Sequence, residues 1–317
     1  MKQKIITISL TILLLLASNV FAQSQMEIAE QLAAKCGFAQ IGHDGKGKVT
    51  GLFLSHKNAY KEDAQWLGQL VKEIEGSKDA PQITDADMPL LLKLPDLIYL
   101  KFQGQMVSGE GYQLCAQMRQ LEYLGLHTVD SKELTEAGIE KDPDCILLAN
   151  QLPNLRRFDY KHNFRLSELP VDQLKGSDKM EYLMLDNALC ESSVVPYILD
   201  CPKLNRLELH RTNITADDLR KIVATNTSIE DIRIRPQDDK KLQPADLKII
   251  EDLPKLHTLC FGGNYNRMDF DYEKDLQFLT EMATLKTIVA PAHKKGADAF
   301  QKLEAAMSGI SFRFGYY

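Results

Sequence analysis

The sequence predicts an α/β solenoid, with short parallel strands lining a concave sheet and helices on the convex side. Three observations carry this. An apolar-x-x-apolar-x-apolar triplet recurs along most of the 317 residues. An apolar residue followed by Ser or Thr recurs about fourteen residues before many triplets, where the hydroxyl would cap a helix. A residue-Pro pair then recurs before the next triplet, where helix is disfavoured.

The chain opens on a targeting segment. Lys2 and Lys4 precede an apolar run from Ile5 to Ala17, and Val20-Phe21-Ala22 fits cleavage after Ala22. As a helix that run reaches only about 20 Å, short of a bilayer core of about 30 Å. Residues 1–22 therefore read as a secretory signal peptide, and the exported chain as secreted or periplasmic without a membrane span. Its removal leaves 36 basic against 44 acidic residues, a net charge of −8. Such a balance argues against nucleic acid as partner, because phosphate binding needs a basic face.

Residues 23–48 read as an N-terminal cap. Ile28, Leu32 and Ala33 would put one apolar face of a helix (Gln25 to Lys35) over the first strand. Gly45-Lys46-Gly47-Lys48 reads as a turn into that strand and lacks phosphate-loop spacing.

Residues 49–290 read as the solenoid. Its triplets begin at Val49, Leu97, Leu121, Leu155, Met180, Leu204, Ile229 and Leu256, with a degraded copy at Leu285. From Leu97 the first anchors lie 24, 34, 25, 24, 25, 27 and 29 residues apart, and the first gap is 48. Ser108 and Thr215 are placed as helix N-caps, with Asp87 and Asp218 three residues after Thr84 and Thr215, where negative charge suits the helix dipole. Pro95, Pro153, Pro202 and Pro254 end the helical legs. One strand and one helix cannot bury both apolar faces alone, so such units stack. Residues 291–317 read as a C-terminal cap, with a helix over Ala297–Met307 and Ser311-Phe312-Arg313-Phe314 alternating as a strand.

The stretch Leu204-Asn205-Arg206-Leu207-Glu208-Leu209, then Thr212, Ile214-Thr215 and Leu219, resembles the leucine-rich-repeat family, in particular its ribonuclease-inhibitor-like branch. The resemblance covers residue 49 to about residue 290 and implies a horseshoe that binds a protein or ligand and carries no chemistry. In the slot after each strand, where the family places a polar side chain, stand Asn163, Thr212 and Asn264, but also Gln105, Val129 and Ala188, so the version is divergent.

Side chains alternate along a strand, so the x positions of each triplet face out of the concave sheet. Towards the N-terminus this places Phe53, Tyr99, Lys101 and Tyr123 together, with Tyr182 further on. Exposed aromatics are enriched in binding hot spots, so these five residues are the candidate partner-binding site. Towards the C-terminus Arg206 faces Asp231 and Glu208 faces Arg233, which reads as solvated ion pairs. His127, Asp186 and His210 share one register position; two adjacent ligands without a third point to surface hydrogen bonding rather than a metal. The six cysteines match no zinc spacing, and no disulfide pairing is assigned.

No nucleophile elbow, phosphate loop, His-Glu-x-x-His or dinucleotide fingerprint is present, so neither catalytic residues nor a cofactor are expected. The reading is an exported, non-catalytic recognition module for a protein or peptide. The alternatives are a binder of glycan or cell-surface polymer, and an accessory subunit of a secreted enzyme.

Overall fold

The computed structural model describes residues 24–56, 67–77, 79–128, 143–161, 173–186, 192–236, 241–262 and 269–315. The signal segment 1–22, Asn163, Asn264, Val129, Ala188 and Cys190 lie outside them, and of Thr212 only the backbone is described. Backbone contacts divide the chain into two units, Met1–Asn154 and Leu155–Tyr317.

In the first unit, a helix over residues 24–33 (α1) precedes β1 (Phe38–His43) and β2 (Val49–Ser55). The turn between these strands holds Gly47 at φ 84°, a left-handed conformation that suits glycine. Then come β3 (Leu70–Glu75), β4 (Tyr99–Gln105) and β5 (Tyr123–Thr128). Their order across the sheet is β5-β4-β2-β1-β3. β2, β4 and β5 are parallel, while β1 runs antiparallel to both β2 and β3. Among its described residues, the 48-residue first gap adds no strand to the parallel series. It holds a strand that crosses to the far side of β1.

Between the triplet strands run short helical legs. Two of them are α2 (Met88–Leu91) and α3 (Gly109–Gln113). Ser108 caps α3 by accepting from Gly111 N at 3.2 Å, as its position predicts. Phe102 meets Tyr112 of α3 edge to face at 5.5 Å between centroids, which marks the helix side of β4. Tyr99 and Lys101, alternating with Leu100 and Phe102, lie on the opposite, open face. Gln105, the last residue of β4, fills the polar slot at the end of the strand. It is fully buried, accepts from Ile83 N at 2.8 Å and donates to Leu54 O at 3.2 Å. One side chain thus ties β4 to the leg before it and to the neighbouring strand β2. The leg α4 (Leu148–Gln151) also belongs to this unit.

In the second unit β6 (Arg157–Lys161), β7 (Tyr182–Asp186), β8 (Arg206–Thr212), β9 (Asp231–Pro236), β10 (Thr258–Phe261), β11 (Thr287–Ala290) and β12 (Ser311–Phe314) lie in chain order. All neighbouring pairs are parallel. The triplet anchors stay in register: Phe158, Leu183, Leu207, Ile232, Leu259 and Ile288 form one buried row. The legs include α5 (Val195–Leu199), α6 (Ala216–Thr225) and α7 (Asp298–Ala306). Thr215 opens α6 with a reciprocal cap: its hydroxyl accepts from Asp218 N at 3.2 Å, and Asp218 accepts from Thr215 N at 2.9 Å. Buried Asn226 donates to Ile198 O and Cys201 O, satisfying carbonyls at the end of the preceding leg.

Several legs are 3-10 rather than α-helical, including Pro143–Leu147 and Pro244–Asp252. The tighter helix rises about 2.0 Å per residue against 1.5 Å, so it spans a leg with fewer residues. Apolar-to-Pro spacing does not distinguish the two.

Candidate binding face

The open face of the first unit is closed over. Phe53, Tyr99, Lys101 and Tyr123, expected to be exposed, keep only 0%, 1%, 6% and 2% of their surface. Tyr99 and Tyr123 adjoin as expected, their centroids 4.1 Å apart, but they join Phe38, Phe53 and Leu67 in an apolar cluster against which Val71 packs. Lys101 reaches across Gly125, with its Nζ 5.8 Å from the centre of the Phe53 ring.

The cause lies in two glycines. Gly42 and Gly51 pair across β1 and β2, and the Leu67 backbone lies directly on them. A Cβ at Gly51 would stand 2.3 Å from the Leu67 carbonyl oxygen, and one at Gly42 2.0 Å. Thr50 Oγ1 donates to that same oxygen at 3.1 Å. The missing side chains let a backbone settle onto the sheet and seal the rings beneath it. The triplet spacing gives no sign of this crossing segment, whereas the glycine at the x position before Leu52 is the residue that permits it.

Tyr182, the fifth expected contact, is also buried, at 7% exposed, and belongs to a different environment. It lies on β7 with Arg157 beside it on β6 and Arg206 beside it on β8. Their guanidinium carbons stand 4.1 Å and 4.5 Å from its ring centre, one from each neighbouring strand. Its hydroxyl donates to Glu208 Oε1 at 2.7 Å. The same oxygen accepts from Arg206 Nε at 2.8 Å and lies 3.4 Å from Arg233 Nε. Arg233 also meets Asp231 at 3.2 Å, and Arg206 Nε lies 3.5 Å from Asp231. On the next positions Asp186 contacts Lys161 at 3.1 Å and His210 Nδ1 at 3.7 Å, while His210 Nε2 lies 3.4 Å from Glu208 Oε2.

The charge pairs expected on β8 and β9 are present, but they are not simply solvated. Carboxylates of Asp159, Glu208 and Asp186 expose 1%, 4% and 9% of their side chains, whereas Arg206 and Lys161 expose 34% and 42%. Asp186 and His210, expected at the surface, are buried as well. The acids form a floor and the cations cover it, because long Arg and Lys stems bend over a sheet while their heads reach water. Burial alone would raise the Glu208 carboxyl; Arg206 and Arg233 overcome it and hold the group below its ordinary value. For Asp186 burial is likewise outweighed, by the bond with His210 and by Lys161. Burial pushes the Tyr182 hydroxyl well above 10, reinforced by Asp159 and Glu208, so it serves as a donor.

Among the described residues no group of three His, Cys, Asp or Glu is placed to hold a metal ion, and no helix is long and apolar enough to cross a membrane. Cys36, Cys115, Cys145, Cys201 and Cys260 are buried free thiols.

No family model matches the sequence, and no curated protein does. Similar solved structures include the leucine-rich repeat-containing protein LegL7 from Legionella pneumophila, at 15% identity over 73% of this chain and 78% of that one, TM-score 0.46. A chain of the Rad7 and Elc1 complex in yeast aligns at 15% identity over 75% and 72%, TM-score 0.43. An internalin, InlF, from Listeria monocytogenes aligns at 13% identity over 71% and 82%, TM-score 0.28. The recurring strand, capped leg and proline turn give each unit the α/β fold of leucine-rich-type repeats.

Proposed function

We propose that the protein is an exported, non-catalytic recognition module, and that it binds an acidic segment of a protein or peptide on the charged face formed by β6 to β9. The observation that supports this is the arrangement around Tyr182: Arg157 and Arg206 are stacked on a buried ring, with the neutralising carboxylates beneath them. The donors of Arg206 and Arg233 are held in place before any ligand arrives, so little side-chain entropy is lost on binding. A chain of net charge −6 that turns Lys161 and Arg206 outward on one sheet face offers a local site for carboxylates.

The burial of Phe53, Tyr99 and Tyr123 moves the site away from the aromatic half. It also removes the exposed stacking platform on which a glycan-binding reading would rest. Export rests on residues 1–22 alone.

The test uses the chain from residue 23 as bait against a cell-envelope extract of the source organism, in parallel with Arg206→Glu/Lys161→Glu. A partner retained by the parent chain, lost with the variant and weakened by salt is the expected result. Equal capture by both, with both folded by circular dichroism, removes the charged face from the account.

A further inference from the structure

We infer a second docking site, a groove between β12 and α7 that receives an extended peptide reading apolar-acidic-apolar. It is separate from the charged face and does not rest on that reading. β12 is an edge strand of the sheet. Ser311 N donates to Lys286 O at 2.8 Å and Gly315 N to Ala290 O at 3.2 Å. Alternate residues of a strand turn their amides to opposite sides, so Phe312 and Phe314 direct N–H and C=O away from β11, along the outer edge. An edge of this kind is a template for another strand.

Side-chain chemistry says what that strand is. Phe312 and Phe314 are in register with Ile288 and Ala290, which are buried on the helix side of β11. A series of rings runs outward to the edge: Phe261, Phe300 of α7 and Phe314, at 6.0 Å and 6.2 Å between successive centroids. Phe314 is the outer member, and with Phe312 it lines a cavity of about 450 Å3 walled by Lys295, Gly296, Gln301 and Glu304. That is within the roughly 300–1,000 Å3 of pockets that take ligand groups. A segment laid against β12 about 4.8 Å away would send the residues opposite Phe312 and Phe314 into this cavity. Their direct cross-strand neighbours are the Phe312 and Phe314 rings, which favour apolar partners, while Lys295, Gln301 and Glu304 form a polar rim around them.

The residue between them faces the other side, opposite Arg313. Arg313 is exposed and in register with Val289 on the open face. A cross-strand neighbour of opposite charge is favoured there and one of like charge disfavoured, so the central residue is Asp or Glu. A second copy of this chain fits poorly: antiparallel pairing of Phe312 with Phe314 of the other copy would set Arg313 directly against itself.

The probe is a fluorescein-labelled nine-residue peptide centred on Leu-Glu-Leu, compared by anisotropy with one centred on Leu-Lys-Leu. The full exported chain should prefer the Glu peptide by about threefold to tenfold, from cross-strand pair energies. Arg313→Glu should reverse the order. N-methylation of the peptide backbone at the two groups facing Phe312 and Phe314 should abolish binding, and so should Gln301→Trp, an exposed wall position whose substitution fills the groove without touching the core. Absence of binding to either peptide, an Arg313→Glu variant with unchanged preference, or concentration-dependent self-association that Gln301→Trp removes would each overturn the inference. Arg206→Glu should leave peptide binding unchanged, which separates failure of this groove from failure of the charged face.

Discussion

Glu208 sits at the centre of the described charged cluster, and removing it measures how the charged face is built. One of its oxygens collects the Tyr182 hydroxyl, Arg206 and Arg233. At an effective dielectric of about 20, a full charge pair at 3.4 Å is worth roughly 5 kcal/mol gross. Desolvating each ion costs several kcal/mol, so the intact cluster contributes little net. Truncation is different, because the Arg206 and Arg233 charges and the Tyr182 hydroxyl lose their shared acceptor. Unpaired buried charges ordinarily cost about 3–5 kcal/mol. Both guanidiniums still reach water, which lowers the expected loss for Glu208→Ala to about 3 kcal/mol. Glu208→Gln keeps an acceptor for Tyr182 and should lose about half as much.

Urea denaturation at neutral pH measures both. The pH dependence adds a second readout. The folded carboxyl titrates below its ordinary 4.5, so its ionisation stabilises the fold above that value, and the contribution fades as pH falls through the folded pKa. The gap between the parent and Glu208→Gln should therefore narrow as pH falls below 4.5. A loss under about 1 kcal/mol for Glu208→Ala, or a gap that widens in acid, would refute the reasoning.

Gly51→Ala should cost about 1–3 kcal/mol and speed amide exchange at Leu67, because its Cβ meets the Leu67 backbone rather than a movable side-chain tip; unchanged exchange would show that the segment is seated otherwise. Tyr99→Ala should lower stability by about 3–5 kcal/mol in thermal or chemical denaturation, as for a large core ring and unlike an exposed contact residue. Burial pushes the thiols of Cys36 and Cys115 up to about 12, so iodoacetamide followed by peptide mass spectrometry should find both unmodified at about pH 8 in the folded chain and modified in urea.

The period of the solenoid was legible because it is written in residues that have no alternative role. Leu207, Ile232 and Leu259 are apolar, evenly spaced and buried, and each predicts the next. Ser108 and Thr215 were legible for the same reason, since capping is local and needs only the residues beside it. The exposure of the x positions was not legible. It depends on what crosses the open face, and the crossing at Leu67 comes from outside the periodic pattern. Nor does a ladder of alternating charge reveal its depth. Arg206 opposite Asp231 reads the same whether the acids are wet or covered, and only side-chain paths over Tyr182 decide it.

That depth bears on what the face is for. Buried ion pairs are commonly replaceable by apolar residues of similar volume with no loss of stability. A lining of Leu and Met across β6 to β9 would then fold as well as Arg157, Asp159, Arg206, Glu208, Asp231 and Arg233 do. It would also leave a broad apolar patch on an open sheet, which invites association without selectivity. The charged cluster holds the same area at similar stability while aiming guanidinium donors at fixed positions, so on the proposed function its value lies in discrimination between ligands. A charge-reversed pair, Glu208→Arg with Arg233→Glu, keeps the count of charges and inverts their placement. If the face acts by placement, the pair should preserve most of the stability lost in either single variant and still lose the partner.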